Sequence, residues 1–151
     1  MTDADDAGVF TQELQIAASP EVVYSYFTDP GKMARWMGID HKLDPVPGGE
    51  YRVDINGRAV AVGQFLELDP PSRLVFTFGW DGDEAIPPGS STIEVSLTPE
   101  AGGTRLHFAH RGLPSTRASD HGKGWGHYLP RLLVVAGGGD AGPDPWIEAR
   151  D

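Results

Sequence analysis

Apolar and polar residues alternate with a period of two over Val9–Ala17. Phe10, Gln12, Leu14 and Ile16 share one face and Val9, Thr11, Glu13 and Gln15 the other, which predicts a first strand. Ser19-Pro20-Glu21 then marks a helix start: an N-cap side chain, a proline at the first helical position and an acid in the first turn. Val22, Val23, Tyr26 and Phe27 supply its apolar stripe. Asp29-Pro30-Gly31 closes that helix and opens a second short one, with Met33, Trp36 and Met37 at i, i+3 and i+4.

From there to about residue 111 the pattern is that of strands. Tyr51, Val53 and Ile55 alternate with polar residues, and Asn56-Gly57 is a two-residue hairpin signal. Arg58–Leu68 places Val60, Val62, Gln64, Leu66 and Leu68 on one face. After the turn at Asp69-Pro70-Pro71-Ser72, Leu74, Phe76, Phe78 and Trp80 line up on one side of the next strand. Residues 81–89 read as a loop enforced by Pro87-Pro88-Gly89. Ile93, Val95 and Leu97, then Leu106, Phe108 and His110, mark the inward faces of two further strands. Turns this short predict an antiparallel sheet.

The period changes in the last third. Trp125, Tyr128, Leu129, Leu132, Leu133 and Ala136 form one continuous helical stripe, interrupted in quality by Gly122, Gly124, Gly126 and Pro130 and ended by Gly137-Gly138-Gly139. Pro130 is expected to bend the helix. The order is therefore strand, two short helices, about six to seven antiparallel strands and one long helix. A sheet of this length curls, and only the C-terminal helix is long enough to cover its concave face. The expected fold class is α+β, with one domain over residues 9–137 and flexible tails at 1–8 and 138–151.

Composition narrows the function. The 151 residues contain no cysteine, so disulfides, thiolate metal sites and cysteine nucleophiles are ruled out. A net charge of −10, with basic residues scattered singly, opposes nucleic acids and anionic membranes. No apolar run approaches a membrane span, and MTDADDAG lacks the features of a signal peptide, so a cytoplasmic protein without membrane insertion is expected. His107 and His110 point to opposite faces of a strand, while His121 and His127 are poorly placed co-ligands on a helix, so no metal is expected. There is no Gly-x-Ser-x-Gly elbow, and Gly122–Gly126 does not follow a strand in a βαβ unit, so neither a serine nucleophile nor a phosphate cradle is read. No cofactor is expected.

The chain resembles the helix-grip (START/Bet v 1-like) superfamily, in the branch related to the C-terminal domain of the activator of the Hsp90 ATPase. The resemblance covers roughly residues 9–137. It rests on Ser19-Pro20-Glu21-Val22-Val23-Tyr24, Arg35-Trp36, Pro47-Gly48-Gly49-Glu50-Tyr51-Arg52, the run from Leu68 to Thr77, Gly103-Thr104-Arg105-Leu106, His110-Arg111-Gly112-Leu113-Pro114, and His121 followed by Gly124-Trp125. It implies a fold that holds small hydrophobic molecules or partners.

The candidate site is then the space between sheet and helix. Residues expected to line it are Tyr51, Val53, Phe76, Phe78, Trp80, Phe108, His110, Trp125 and Tyr128, with Trp36 near the mouth. Each ring also has a simpler role as core filling. The first functional expectation is binding of a small hydrophobic or aromatic molecule without chemistry. The alternatives are a cyclase, hydrolase or isomerase using His110 as acid/base, and a chaperone-related interaction domain. Homodimerisation is compatible with all three.

Overall fold

The computed structural model describes residues 8–147, except for the side chains at 115, 116, 118 and 119. Of the tails expected at 1–8 and 138–151, residues 1–7 and 148–151 lie outside the described residues. The elements run β1 (Phe10–Ile16), α1 (Pro20–Thr28), α2 (Pro30–Met33), β2 (Asp40–Leu43), β3 (Glu50–Asp54), β4 (Val60–Asp69), β5 (Arg73–Phe78), β6 (Ser91–Glu100), β7 (Gly103–Arg111) and α3 (Ser115–Ala136). The seven strands form one curved antiparallel sheet in the order β1-β7-β6-β5-β4-β3-β2, the helix-grip arrangement. Among the described residues no helix is long and apolar enough to cross a membrane.

The caps behave as the sequence dictates. Ser19 Oγ accepts from the Val22 amide at 3.3 Å, and Asp29 Oδ1 accepts from Gly31 and Lys32 at 2.9 and 3.2 Å, so one residue ends α1 and starts α2. Met33, Trp36 and Met37 are all buried, although α2 itself closes at Met33 and the last two ride on the turn after it.

Three local readings are corrected. The inward face of β4 is Ala61 and Phe65, while Val62, Gln64 and Leu66 look outward; a register shift between Phe65 and Glu67 separates the two halves of the strand. The Asn56-Gly57 turn is wider than two residues: Asn56 Oδ1 accepts from both Arg58 and Ala59 at 3.0 Å, and Ile55 closes the loop on Ala59. On α3, Val135 takes the buried position expected for Leu133, which is exposed.

Helix α3 crosses Pro130 without interruption. Pro130 and Gly126, whose carbonyl loses its donor there, both lie on the exposed face, where water can replace the missing bond. Gly122 faces β1, where a Cβ would stand 3.2 Å from a Phe10 ring carbon, so the helix approaches the sheet closely at that turn. The inner faces of the sheet, α1 and α3 share one apolar core that includes Phe27, Phe65, Leu74, Ile93, Leu106, Leu129 and Leu132.

Residues 138–147, assigned by the sequence to a tail, run back along α3. Arg131 donates to the carbonyls of Ala141, Gly142 and Pro143 at 3.2, 2.9 and 3.4 Å. Asp144 is buried against the helix, accepting from Tyr128 Oη at 2.7 Å, His127 Nε2 at 2.8 Å and the Trp146 amide at 2.9 Å. The Trp146 ring stacks on His127 at 3.8 Å.

Candidate functional site

Between the end of β5 and α3 lies a cavity of about 250 Å³. Phe78 and Trp80, at the end of β5 and just beyond it, form its floor. His121, Gly124, Trp125 and Tyr128 of α3 form its roof, Met37 and Ile55 its side, and Arg117 and Asp120 its rim. Gly124 contributes open space: a Cβ there would meet nothing within 4 Å.

The two tryptophans are each tied to a histidine. Trp125 Nε1 donates to His110 Nδ1 at 3.0 Å. An indole N–H can only donate, so Nδ1 is the acceptor and the imidazole proton sits on Nε2. Nε2 lies 2.8 Å from Ser91 Oγ, whose own hydrogen goes to the Phe78 carbonyl at 2.7 Å. The chain Trp125 to His110 to Ser91 to Phe78 therefore has one consistent direction, and it requires neutral His110. Burial, and secondarily the neighbouring His121, lower the His110 pKa to about 3.

Trp80 Nε1 donates to His121 Nε2 at 2.9 Å, and His121 Nδ1 in turn donates to the Arg117 carbonyl at 3.1 Å. His121 is also held below the ordinary histidine range, with burial as the main cause. The two imidazoles meet edge to face at 5.2 Å, and Phe78 packs against both tryptophans and both histidines. Burial and the hydrogen bond to Asp144 raise the Tyr128 pKa, so its hydroxyl remains protonated and donating.

At the rim, Arg117 Nη2 meets Asp83 Oδ2 at 2.8 Å. Asp83 is fixed in turn by the amides of Ala85 and Ile86, which bond its other oxygen and hold its carboxyl below the usual range. This pair pins the 81–89 loop across one side of the mouth, with Ile86 fully buried beneath it. Asp120 is exposed and has no hydrogen-bond or ion-pair partner among the described residues.

Of the residues singled out from sequence, Phe78, Trp80, Trp125 and Tyr128 line this cavity. His110 stands directly behind it, fully enclosed. Tyr51 and Phe76 stack at 4.4 Å within the solid core, and Phe108 packs on Trp125 at 4.7 Å. Val53 is fully buried. Trp36 is also buried rather than at the mouth: its indole donates to the Tyr26 carbonyl at 3.0 Å and packs edge-on against Phe27. The Tyr51 hydroxyl has no hydrogen-bond partner among the described residues, and burial raises its pKa.

Met37, Ile55, Arg117, Asp120, His121 and Gly124 escaped the sequence reading of the site. The signal for His121 and Gly124 was present, because both fall at i−4 and i−1 from Trp125 and so share or flank its face of the helix. Among the described residues no group of three His, Asp or Glu side chains is arranged to hold a metal ion.

Solved structures with this architecture come from several bacteria. An AHSA1-like protein from Rhizobium etli, solved in solution, is 47% identical over 94% of this chain and 89% of its own, with a TM-score of 0.73. CalU16 from Micromonospora echinospora is 29% identical over 91% of this chain and 76% of its own, with a TM-score of 0.70. A protein from Chromobacterium violaceum is 25% identical over 91% and 99% of the two chains, with a TM-score of 0.76. No curated protein matches the sequence. The model of the activator of Hsp90 ATPase homolog 1-like proteins matches residues 17–137, and the chain belongs to that family.

Proposed function

We propose that this chain is a binding module for a small, ring-bearing apolar molecule, held in the cavity between the end of β5 and α3 without chemical conversion. The observation that carries this reading is the wall itself: Phe78, Trp80, His121, Trp125 and Tyr128 surround about 250 Å³ of space. A dry cavity of roughly 150 Å³ accommodates a benzene ring, so this one suits a body of roughly ten heavy atoms, one fused bicycle rather than a sterol.

What speaks against acid/base work by the wall's histidines and tyrosine is that their polar atoms are already committed. A base must offer a lone pair to the ligand. His110 gives Nδ1 to Trp125 and Nε2–H to Ser91, while His121 gives Nε2 to Trp80 and Nδ1–H to Arg117. The Tyr128 proton is used on Asp144. An enzymatic role for His110 would require breaking a buried chain of three hydrogen bonds.

The test is calorimetric titration with indole and 2-naphthol, on the full chain and on Gly124→Leu. The wild-type protein is expected to bind at least one of them saturably at one site. The leucine should abolish that binding while leaving the far-UV circular dichroism unchanged, since it grows into open space. Absence of saturable binding by either probe, or binding that the leucine leaves intact, overturns this site.

A further inference from the structure

The cavity's polar inventory is one-sided, and this narrows the ligand class. Every N–H or O–H on the ring wall is already given to a protein acceptor: Trp80 to His121, His121 to Arg117, Trp125 to His110 and Tyr128 to Asp144. A carboxylate, phenolate or carbonyl on the ligand therefore finds no free donor on that wall. What the wall does offer is the π systems of Phe78, Trp80, Trp125 and Tyr128, whose faces carry negative potential and attract cations.

The rim has the same bias. Arg117 is its basic group, and it is neutralised at 2.8 Å by Asp83, a carboxylate itself anchored by two backbone amides. Asp83 takes one Arg117 nitrogen, so an incoming anion could reach the remaining N–H groups only beside that anchored carboxylate, whose charge opposes it. Asp120 is the opposite case: it lines the cavity, is exposed to solvent and, although its charge acts on the neutral His121 beside it, has no hydrogen-bond or ion-pair partner among the described residues. The formal charge of −10 on the whole chain raises the local concentration of cations further.

We propose that the ligand is a ring-bearing amine, protonated at neutral pH, with its ring inside the aromatic cavity and its ammonium at the rim against Asp120. This rests on the cavity being the binding site, and it adds the charge and the polar end of the occupant. The ammonium stays near water at the mouth, so its desolvation is slight, while the ring is removed from water completely.

Three indoles of matched shape test it: tryptamine, tryptophol and indole-3-propionate, which are respectively cationic, neutral and anionic at pH 7. Calorimetric titrations of each into the full chain at low salt should rank them in that order. Tryptamine should bind about tenfold more tightly than tryptophol, from an exposed ion pair together with a cation–π contact. The ratio should shrink at 0.5 M sodium chloride. In Asp120→Asn it should fall to about threefold, the share left to the rings. Equal or tighter binding of indole-3-propionate overturns the cationic assignment and leaves the cavity reading standing. A tryptamine preference untouched by Asp120→Asn overturns the contact with Asp120. No saturable binding of any of the three overturns this inference and the binding module together.

Discussion

Phe76 and Phe78 sit two residues apart on the same face of β5, both almost completely buried, yet they serve opposite halves of the molecule. Phe76 stacks on Tyr51 at 4.4 Å and touches Phe65 at 5.9 Å, in a solid region. Phe78 also meets the Tyr51 ring, at 6.2 Å, but its other ring contacts are Trp80, His110, His121 and Trp125, and it forms the floor of an open cavity. The strand alone cannot account for this, because its alternation is the same at both positions. The helix opposite does. The α3 residues that line the cavity end at Tyr128, and they include a glycine with nothing opposite it; from Leu129 onward, Leu129, Leu132 and Val135 are buried in the core. One amphipathic helix thus builds a packed half with branched side chains and a vacant half with a glycine and hydrogen-bonded rings.

The sharpest way to break this comparison is to truncate one ring in each half. Phe76→Ala should cost about 3–5 kcal/mol of stability, the usual range for a large aromatic removed from a tight core. Trp80→Ala should cost less than half as much, because Trp80 is only partly buried beside space that already exists, but it should remove most ligand binding. Urea unfolding of both variants measures the first effect and calorimetry the second. Equal losses of stability would mean that the two halves are packed alike.

A second contrast lies between the halves' polar groups and pH. His110 is neutral in the fold with a pKa near 3, against an ordinary value of about 6.5 for the unfolded chain. The folded value is the lower one, so below pH 6.5 the unfolded state binds more protons and stability falls as pH falls. The slope is about 1.4 kcal/mol per pH unit, which gives a loss of about 2 kcal/mol between pH 6.5 and 5. His121 acts with the same sign. Asp83 and Asp144 are depressed carboxylates that contribute their own losses only at more acid pH, so this window isolates the histidines. Urea midpoints from pH 7.5 to 5 should show the decline, and His110→Gln should reduce it to the part owed to His121. A flat wild-type profile over pH 6.5 to 5 would show that the Trp125–His110–Ser91 chain tolerates a proton.

Much of this architecture was legible because most strands have a single apolar face. The inward residues of β5, β6 and β7 follow directly from alternation, and the stripe on α3 needed only Val135 in place of Leu133. β4 misled because its larger aliphatics, Val60, Val62 and Leu66, are not the ones that point inward. Its inner face uses Ala61 and Phe65, and between them Gly63, where the Thr77 carbonyl passes so close that a Cβ could not fit. β2, Asp-His-Lys-Leu, is a short charged edge strand with no apolar rhythm, and only pairing with β3 makes it a strand. The site was legible as a set of rings and not as a place. Which rings fill and which enclose depends on which α3 residues stand opposite them and on partners far away in sequence, such as Ser91 for His110 and Asp144 for Tyr128. No local pattern carries those.

The smallest effect probes the helix at single-methyl resolution. Gly122 and Gly124 are both interior residues of α3, so replacing either with alanine should contribute about 1 kcal/mol of intrinsic helix stability. At Gly124 nothing opposes the new methyl, and the full gain should appear as a raised urea midpoint with a slightly narrower cavity. At Gly122 the methyl would stand 3.2 Å from a Phe10 ring carbon, closer than ordinary contact, and that ring must shift by a few tenths of an ångström to admit it. That strain should offset most of the helical gain, so Gly122→Ala is expected to be neutral or destabilising. Equal stabilisation by the two alanines would mean that the Phe10 ring gives way freely at this turn. If the gain appears only at Gly124, the helix forgoes that stability at the one glycine whose missing side chain leaves room for a ligand.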